Sequence, residues 1–309
     1  MAQLTAVAKA PIPLRPRVTS EQICQFVDQG YLVVPSLVGP EELEELKRDT
    51  VDLARGKYPS RSLAPSPAGL SDEEVLGSLL CVHQPHGLSP VIRKFIDHPG
   101  LVDYLSKITA AHLATGWWDG GVKCMQSMLF VKPPGLPGQA WHQDEHYIPT
   151  RDRSLIGVWI AIDAATVENG CLFVLPGSHR RGYLYPVRAH NRPDEFDFAT
   201  EAYGFDSTGE VPVEVEAGDV VFFNGYLLHR SRLNRSRVFR RALVNHYMSM
   251  NSLLPWGHAE DDVRQGRIQL ARADCRAVIP VHGTDPDASK GYLEPGDDVY
   301  IRPYGKTSD

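Results

Sequence analysis

The stretch AWHQDEHYIP, residues 140–149, gathers two histidines and two acids into five consecutive positions. Imidazole nitrogens and carboxylate oxygens are common protein ligands of divalent transition metals. The stretch is therefore a candidate metal site, and its backbone geometry decides which of the side chains can share one ion.

We interpret this stretch as a β-strand, in which alternate side chains share a face, so that His142, Asp144 and His146 point the same way. Neighbours on that face lie about 6.6 Å apart and the outer pair about 13 Å apart, because a strand rises about 3.3 Å per residue. With bonds of about 2.1 Å, one ion takes His142 with Asp144, or Asp144 with His146. The third ligand must come from elsewhere in the chain.

A histidine two residues before an acid is weak evidence by itself, since such pairs arise by chance. His258 and Glu260 have the same spacing in a segment without a strand pattern, and we set them aside. A hydrogen-bonded surface pair is the simpler alternative for His142 and Asp144. A third ligand that another strand carries to the same place would favour the metal site.

Residues 217–247, AGDVVFFNGYLLHRSRLNRSRVFRRALVNHY, supply that ligand. A turn at Gly218 leads into a strand, then His229, then a second strand that holds Arg240. In an antiparallel barrel, strands distant in sequence lie side by side, so His229 can face His142 and Asp144. Two histidines and one carboxylate on one face of an octahedral ion form the triad of non-haem Fe(II) oxygenases.

Arg240 leads an alternating set with Ala242 and Val244, so its side chain is predicted to point into the barrel. A buried guanidinium is costly unless a carboxylate meets it with bidentate hydrogen bonds. A dicarboxylate bound to the metal at one end and to Arg240 at the other meets that need, and 2-oxoglutarate is such a molecule. Arg241, of opposite parity, is expected to point outward into solvent.

The elements that position these residues change in character along the chain. Helical signals dominate the first third: a Thr/Ser start before residue 21 with a stop at Gly30, a second helix over 40–56, and two short helices broken at Pro99–Gly100. Short apolar runs separated by turn residues follow, and we interpret them as strands. These runs are 31–38, 122–132, 155–164, 171–178, 211–223 and 240–250.

This order predicts an α+β protein with a mainly β core: a double-stranded β-helix, that is, a cupin-like jelly roll, with helices from the N-terminal third packed on it. We expect a flexible arm over 1–18 and one domain over 19–309. Within that domain, 19–120 is mainly helical support, 121–250 is the jelly-roll core, and 251–309 wraps the surface. The long segments 57–88 and 183–210 are the candidates for a lid.

The chain resembles the phytanoyl-CoA dioxygenase family of Fe(II)- and 2-oxoglutarate-dependent oxygenases. The resemblance rests on QSMLFVKPPG, WHQDEHYIP, GVWIAIDAATVENGCLFVLPGSHRRG and HRSRLNRSRVFRRALVNHY, which occur in the family's order and spacing. It covers roughly residues 20 to 250. It implies a jelly-roll enzyme that consumes O2 and 2-oxoglutarate, releases succinate and CO2, and hydroxylates an unactivated C–H bond of a small molecule.

The resemblance also implies roles at matching positions. His142, Asp144 and His229 would bind Fe(II), which makes them the catalytic centre, and Arg240 with Ser231 would bind the distal carboxylate of 2-oxoglutarate. The remaining candidates either line the co-substrate pocket or lie just outside the metal ligands and face the substrate. The first group is Met128 and Trp159, and the second is Gln143, His146, Tyr147 and His83. His83 stands where the family often places a lysine for 2-oxoglutarate.

Several alternatives stay open from the residues alone. Trp159 fits plain core packing as well as a pocket, and the arginines 151, 153, 180 and 181 fit a solvated rim as well as a substrate clamp. A cupin-like barrel can also hold Zn²⁺ or Ni²⁺ in a non-redox enzyme or a binding module. The formal net charge of −6 argues against a nucleic-acid partner, and no apolar run is long enough to span a membrane.

The five cysteines are scattered and form no CxxC pair, which favours a reducing compartment, and we expect a cytoplasmic protein. The sequence leaves the substrate and the oligomeric state unassigned.

Overall fold

A computed structural model of the protein describes residues 18–60, 63–113, 120–252, 278–286 and 299–301. Its helices are α1 (Ser20–Gln29), α2 (Pro40–Ala54), α3 (Asp72–Gly77), α4 (Pro90–Arg93), α5 (Pro99–Ile108) and α6 (Asp144–Tyr147). Short 3-10 helices lie at Pro85–Gly87, Ala111–Leu113 and Ser178–Arg181.

The strands fall largely where the apolar runs predict them. They are β1 (Tyr31–Val34), β2 (Cys81–His83), β3 (Val122–Lys132), β4 (Ile156–Ala161), β5 (Leu172–Val174), β6 (Val187–Arg188), β7 (Glu201–Ala202), β8 (Val211–Val213), β9 (Val220–Asn224), β10 (His229–Ser231), β11 (Arg240–Ser249), β12 (Ile279–His282) and β13 (Tyr300–Ile301).

The strands form two main antiparallel sheets that enclose a cavity. The larger sheet has the order β1-β9-β4-β11-β3-β2-β13, with β12 also paired to β3, and the smaller has the order β10-β5-β8. A backbone bridge between His142 and His229 adds residue 142 to the edge of the smaller sheet. Strands that are distant in sequence thus lie side by side, and the predicted jelly roll is confirmed.

Alternation along the central strands divides the apolar residues between two cores. On β3, Leu129 and Val131 face the helices, and Met128 packs between the sheets. On β11, Leu243 joins the helix-side core while Ala242 and Val244 lie between the sheets. The helices of the first third therefore cover the outer face of the large sheet, and its inner face is left to line the cavity.

A β-bulge interrupts this alternation where β3 meets β11. His246 pairs with Gln126 and Tyr247 pairs with Cys124, so Met125 is the extra residue on β3. Bulges re-aim side chains and often lie beside active sites. Here the bulge sends Gln126 into the cavity, and Cys124 joins the helix-side core.

The first helix begins and ends with the residue types that its sequence signals predict. Thr19 and Gln22 form a capping box at the start of α1, with Gln22 donating its backbone N–H to the Thr19 hydroxyl at 3.2 Å. Gly30 ends the helix with a φ of 82°, a conformation that glycine adopts without strain. The second helix also begins at Pro40 as predicted, although it ends at Ala54, before Gly56.

Two elements correct the sequence-based description of the first third. The segment 57–88, predicted as a candidate lid, contains α3 and β2. Ser71 and Glu74 form a capping box at the start of α3, a signal the sequence displays as SDEE. β2 pairs with β3, so part of the expected lid belongs to the barrel wall.

Some expectations lie outside the described residues: the arm over 1–18 except Val18, the pair His258 and Glu260, and most of the wrapping segment 251–309. The described parts of that segment include β12 and β13, which extend the large sheet. The domain boundaries at 120 and 250 remain predictions. Across the described ranges, no helix combines the length and apolarity that a membrane crossing requires.

Candidate active site

Three buried side chains converge where the two sheets meet at one end of the cavity. One possible ligand atom from each of His142, Asp144 and His229 lies within 4.8 Å of the others. Oδ1 of Asp144 is 3.7 Å from Nε2 of His142 and 3.6 Å from Nε2 of His229. Of the two pairings that the sequence left open, the structure brings together His142 with Asp144.

The backbone that achieves this differs from the predicted strand. The chain is extended at Gln143, but Asp144 begins the short helix α6, in which the Ile148 N–H donates to the Asp144 carbonyl at 2.9 Å. His146 is carried away from the cavity and is exposed, with its ring edge-on to Tyr147. The expectation that His146 shares the face of His142 and Asp144 is therefore wrong, because a helical turn replaces strand alternation.

The two histidines are oriented by equivalent backbone contacts. Nδ1 of His142 lies 2.8 Å from the Ala140 carbonyl, and Nδ1 of His229 lies 2.9 Å from the Leu227 carbonyl. A carbonyl only accepts, so each Nδ1 carries the proton and each Nε2 offers its lone pair toward Asp144. Two neutral imidazoles and one carboxylate suit a divalent iron with open coordination positions, so the donor set fits Fe(II).

A fourth histidine, which the sequence did not single out, holds the carboxylate. Nε2 of His246 donates to Oδ2 of Asp144 at 3.0 Å, so Oδ1 is left facing His142 and His229. Burial raises the pKa of Asp144, but the neighbouring imidazoles of His229, His246 and His142, together with the hydrogen bond from His246, outweigh it and bring the pKa below its usual range. The hydrogen bond from His246 thus orients the carboxylate toward His142 and His229.

We expect His246→Phe to weaken Fe(II) binding by about 10–100-fold, because groups that orient a metal ligand typically contribute that much to affinity. The measurement is anaerobic competition with a chelator. His246→Gln keeps an N–H donor and should restore most of the affinity. Equal iron affinity in the phenylalanine variant and the unaltered protein would show that Asp144 does not depend on this hydrogen bond.

The cavity next to these residues has a volume of about 330 Å³. Most of the sequence-predicted pocket residues line it, namely Met128, Trp159, Ser231, Arg240, Tyr147 and His83. Arg240 is buried, and its guanidinium carbon lies 5.6 Å from the centre of the Trp159 ring. Trp159 is therefore both a core residue and a cavity wall.

Gln143 does not line this cavity. Its side-chain amide donates to the carbonyls of Tyr183 and Tyr226 and accepts from the Tyr185 N–H, all within 3 Å. Gln143 thus ties the chain between His142 and Asp144 to two surrounding loops. One of these loops opens the segment 183–210, whose Ala199 also reaches the cavity wall.

Arg241 points away from the cavity, as its parity predicts, but it is not solvated. Its side chain is 13% exposed and donates to both carboxylate oxygens of Asp163, from Nε at 2.7 Å and from Nη2 at 2.8 Å. The expectation of a solvated Arg241 is wrong because α2 packs close to this face of β11, as the contact with Thr50 shows.

Comparison with known proteins decides the family. The phytanoyl-CoA dioxygenase (PhyH) family matches residues 26–242, which is most of the chain. The chain belongs to the phytanoyl-CoA dioxygenase family. It is 30% identical over 283 residues to a probable phytanoyl-CoA dioxygenase of Caenorhabditis elegans, covering 87% of each chain. It is 29% identical to phytanoyl-CoA dioxygenase 1 of rice, covering 74% of this chain and 88% of the relative.

A solved structure supports the fold. EvdO2 from Micromonospora carbonacea var. aurantiaca, complexed with 2-oxoglutarate, is 24% identical, with a TM-score of 0.55 over 76% of this chain and 92% of that one. As a member of the phytanoyl-CoA dioxygenase family, the protein is an Fe(II)- and 2-oxoglutarate-dependent dioxygenase, which confirms the predicted class and cofactors. The non-redox alternative is not favoured.

Within this phytanoyl-CoA dioxygenase fold, the charges of the cavity are unequally distributed. Of the lining side chains in the described ranges, Asp144 is the acidic one, and it faces the histidines. Arg230 lines the wall but donates to both carboxylate oxygens of Glu210. Arg240 and Lys132 are cross-strand partners, and both line the cavity.

Lys132 is a second buried cation that the sequence reasoning did not select. It lies in the motif FVKPPG, and its ammonium donates to the Arg232 carbonyl. Burial, and then the charge of Arg240, lower the pKa of Lys132 well below its usual value. Strand alternation with Met128 and Phe130 would have identified it, because all three residues share the inner face of β3.

Proposed function

We propose that this dioxygenase hydroxylates an unactivated C–H bond of a small-molecule substrate and couples the reaction to conversion of 2-oxoglutarate to succinate and CO2. The observation that carries the proposal is one cavity with the His142, Asp144 and His229 cluster at one end and buried Arg240 at the other. A metal-chelating dicarboxylate is the kind of molecule that could bind the metal at one end and the guanidinium at the other.

His142, Asp144 and His229 would hold Fe(II) on one face and leave the other positions to 2-oxoglutarate and O2. When bound, Fe(II) together with 2-oxoglutarate and O2 supplies the oxidising power for C–H hydroxylation. Asp144 fills a position that a chloride would need in a related halogenase, which favours hydroxylation. His246 would keep Asp144 oriented throughout.

Arg240 would bind the distal carboxylate of 2-oxoglutarate with bidentate hydrogen bonds. Ser231 would assist: its Oγ accepts from the Gln139 N–H at 3.2 Å, which leaves its O–H free to donate to the carboxylate. Lys132 would join Arg240 at this end, where the carboxylate of 2-oxoglutarate would favour its protonated form, in place of the upstream lysine that the family often carries. Its side chain approaches from β3, while His83 approaches from β2.

The apolar walls would keep water out of the reaction. Met128, Phe130, Trp159 and Val244 line the cavity between the two ends. A volume of about 330 Å³ is at the small end of the range for ligand pockets. The space therefore suits 2-oxoglutarate together with a compact substrate or the reacting part of a longer one.

The cytoplasm remains our proposed location. The cysteines among the described residues, Cys24, Cys81, Cys124 and Cys171, are free thiols, which accords with a reducing compartment.

Anaerobic addition of Fe(II) and 2-oxoglutarate should produce a weak visible absorption band that requires both components. Zn²⁺ in place of Fe(II) should give no band, because it lacks the d-electron transitions. On admission of air, a panel of small metabolites should then be screened for stimulated succinate release. A protein that binds Fe(II) but gives neither the band nor succinate would contradict the proposal.

A further inference from the structure

Gly138 lies on the cavity wall, in the segment between β3 and α6. Its N–H donates to the Glu195 carbonyl at 2.9 Å, and its own carbonyl accepts from the Asp197 N–H at 2.7 Å. The next residue, Gln139, makes its backbone contacts in the other direction, to Ser231 of β10. This part of the chain is thus enclosed between two other backbone segments.

Two hydrogen bonds from Gln139 fix the position of Ser231. The Gln139 N–H donates to Oγ of Ser231 at 3.2 Å, and the Gln139 carbonyl accepts from the Ser231 N–H at 3.0 Å. Ser231 lies two residues after His229 on β10, so both side chains share the face of that strand that lines the cavity. The place of the Ser231 hydroxyl in the cavity wall therefore depends on the chain at Gly138 and Gln139.

The contact between Gly138 and β10 leaves no room for a side chain. A Cβ atom built on Gly138 would overlap the Ser231 carbonyl oxygen and lie 2.7 Å from the carbonyl carbon of Arg232. Real Cβ atoms essentially never come closer than 3.0 Å to such neighbours. Both contacts are with backbone atoms, which cannot rotate away as the end of a long side chain can. Any other residue at position 138 must therefore displace one of the two backbones.

Glu195 restrains displacement toward the side opposite β10. Its carboxylate accepts from the Leu233 N–H at 3.3 Å and from the guanidinium of Arg235. The segment that pairs with Gly138 is thereby tied to the chain that follows β10. A side chain at position 138 should therefore be accommodated mainly by movement of Ser231, which would lengthen both of its bonds to Gln139.

We propose that Gly138 is a positioning residue for 2-oxoglutarate: because it has no side chain, it lets Ser231 lie where its hydroxyl can donate to the distal carboxylate. The proposal rests on the proposed function, in which Ser231 assists Arg240. Gly138 would act through Ser231, so a side chain at this position should weaken recognition of the distal carboxylate. Binding of iron and of the keto-acid end should be unaffected.

The test compares 2-oxoglutarate with 2-oxovalerate, which has the same length and the same keto-acid end but a methyl group in place of the distal carboxylate. Each is titrated anaerobically into the full-length protein loaded with Fe(II), and the visible band gives the dissociation constant. The preference, defined as the constant for 2-oxovalerate divided by that for 2-oxoglutarate, reports the distal carboxylate, because a general effect on the metal centre appears in both constants.

The preference is measured for the unaltered protein, Gly138→Ala, Ser231→Ala and the double variant. Gly138→Ala should lower it roughly 10–100-fold, as loss of one hydrogen bond to a charged group allows. Iron content after anaerobic loading should not change. Adding Gly138→Ala to Ser231→Ala should lower the preference little further, since both substitutions act on the same hydroxyl. Gly77→Ala is the matched control, because a Cβ atom at Gly77 meets nothing within 4 Å.

Gln139→Pro is the second variant, for the case in which alanine at position 138 prevents folding. Proline removes the N–H that fixes Oγ of Ser231 and adds no side chain at position 138. This variant should therefore also lose preference for 2-oxoglutarate while it keeps iron. Circular dichroism and melting curves establish which variants fold.

An unchanged preference in a folded Gly138→Ala or Gln139→Pro variant would overturn the assignment. So would loss of iron binding in Gly138→Ala, or an undiminished effect of Gly138→Ala in the Ser231→Ala background. If neither variant folds, these residues serve folding and the assignment is equally lost. If the unaltered protein forms no band or shows no preference for 2-oxoglutarate, the proposed function itself has failed.

Discussion

Replacing either His142 or His229 with alanine should abolish stoichiometric iron binding and all turnover that depends on 2-oxoglutarate. Each imidazole supplies one of three converging ligand atoms, and the two that remain cannot define one face of an octahedral ion. Iron content after anaerobic loading and gel filtration is the direct measurement, with succinate release in air as the second.

The fold should survive both substitutions. The bridge between the two residues uses backbone groups, with N–H to carbonyl distances of 2.9 and 3.0 Å in the two directions, and alanine keeps these groups. Circular dichroism and a melting curve close to those of the unaltered protein would establish this. His146→Ala is the matched control. Because His146 is exposed and does not reach the cavity, this variant should bind iron and turn over 2-oxoglutarate like the unaltered protein. Full activity with one iron per chain in either ligand variant would rule out the three-residue site.

Arg240→Ala should weaken 2-oxoglutarate binding by roughly two to three orders of magnitude. Removing one member of a buried charge pair typically costs about 3–5 kcal/mol, and about 1.4 kcal/mol corresponds to tenfold. Iron affinity should change little, since the guanidinium lies at the other end of the cavity. Titration of the visible band with 2-oxoglutarate gives the dissociation constant. Arg240→Lys should recover only part of the loss, because an ammonium lacks the planar pair of donors.

Arg241→Ala is the control for Arg240→Ala, because it removes the same charge from the neighbouring position in the chain. Arg241 lies on the opposite face of β11 and pairs with Asp163, so its removal should lower the melting temperature and leave the dissociation constant of 2-oxoglutarate nearly unchanged. Loss of co-substrate binding in Arg241→Ala but not in Arg240→Ala would contradict the register of β11. If neither variant lost binding, a different molecule would have to occupy the cavity.

The three iron-ligand candidates could be found from the sequence, but part of the reasoning about them was wrong. Strand alternation would place His146 on the same face as His142 and Asp144, whereas the helical turn from Asp144 leaves His146 exposed. The helical turn that starts at Asp144 spans four residues, and so short a turn leaves no periodic signal. The correct pair was chosen because His229 and the family motifs pointed to it.

The residues around the ligands were harder to find, because their orientation depends on pairing between distant strands. Continuing the alternation of β3 from Met128 would place both Gln126 and Cys124 in the cavity, but the bulge at Met125 separates them. His246 contacts Asp144 because β11, which follows over 100 residues later in the chain, carries it to the same place. No local pattern in the sequence encodes either fact.

Arg241 is another residue whose surroundings could not be predicted from the local sequence. Parity correctly predicts which face it occupies, but its exposure depends on what packs there. Asp163 follows β4, and Thr50 lies on α2, so the surroundings of Arg241 are assembled from three separate parts of the chain. Strand alternation sets the direction of the Arg241 side chain, whereas its exposed fraction depends on which other elements pack against that face.

The backbone bridge between His142 and His229 also bears on how the enzyme acquires its metal. The bridge lies at the edge of the small sheet, and each imidazole is oriented by the backbone carbonyl two residues before it, so both orienting contacts come from the protein itself. In small zinc-binding domains the metal supplies much of the folding free energy, and removing it unfolds the chain. Here the contacts that place the two histidines are made by protein groups, so we expect removal of iron with a chelator to cost activity and leave the fold intact.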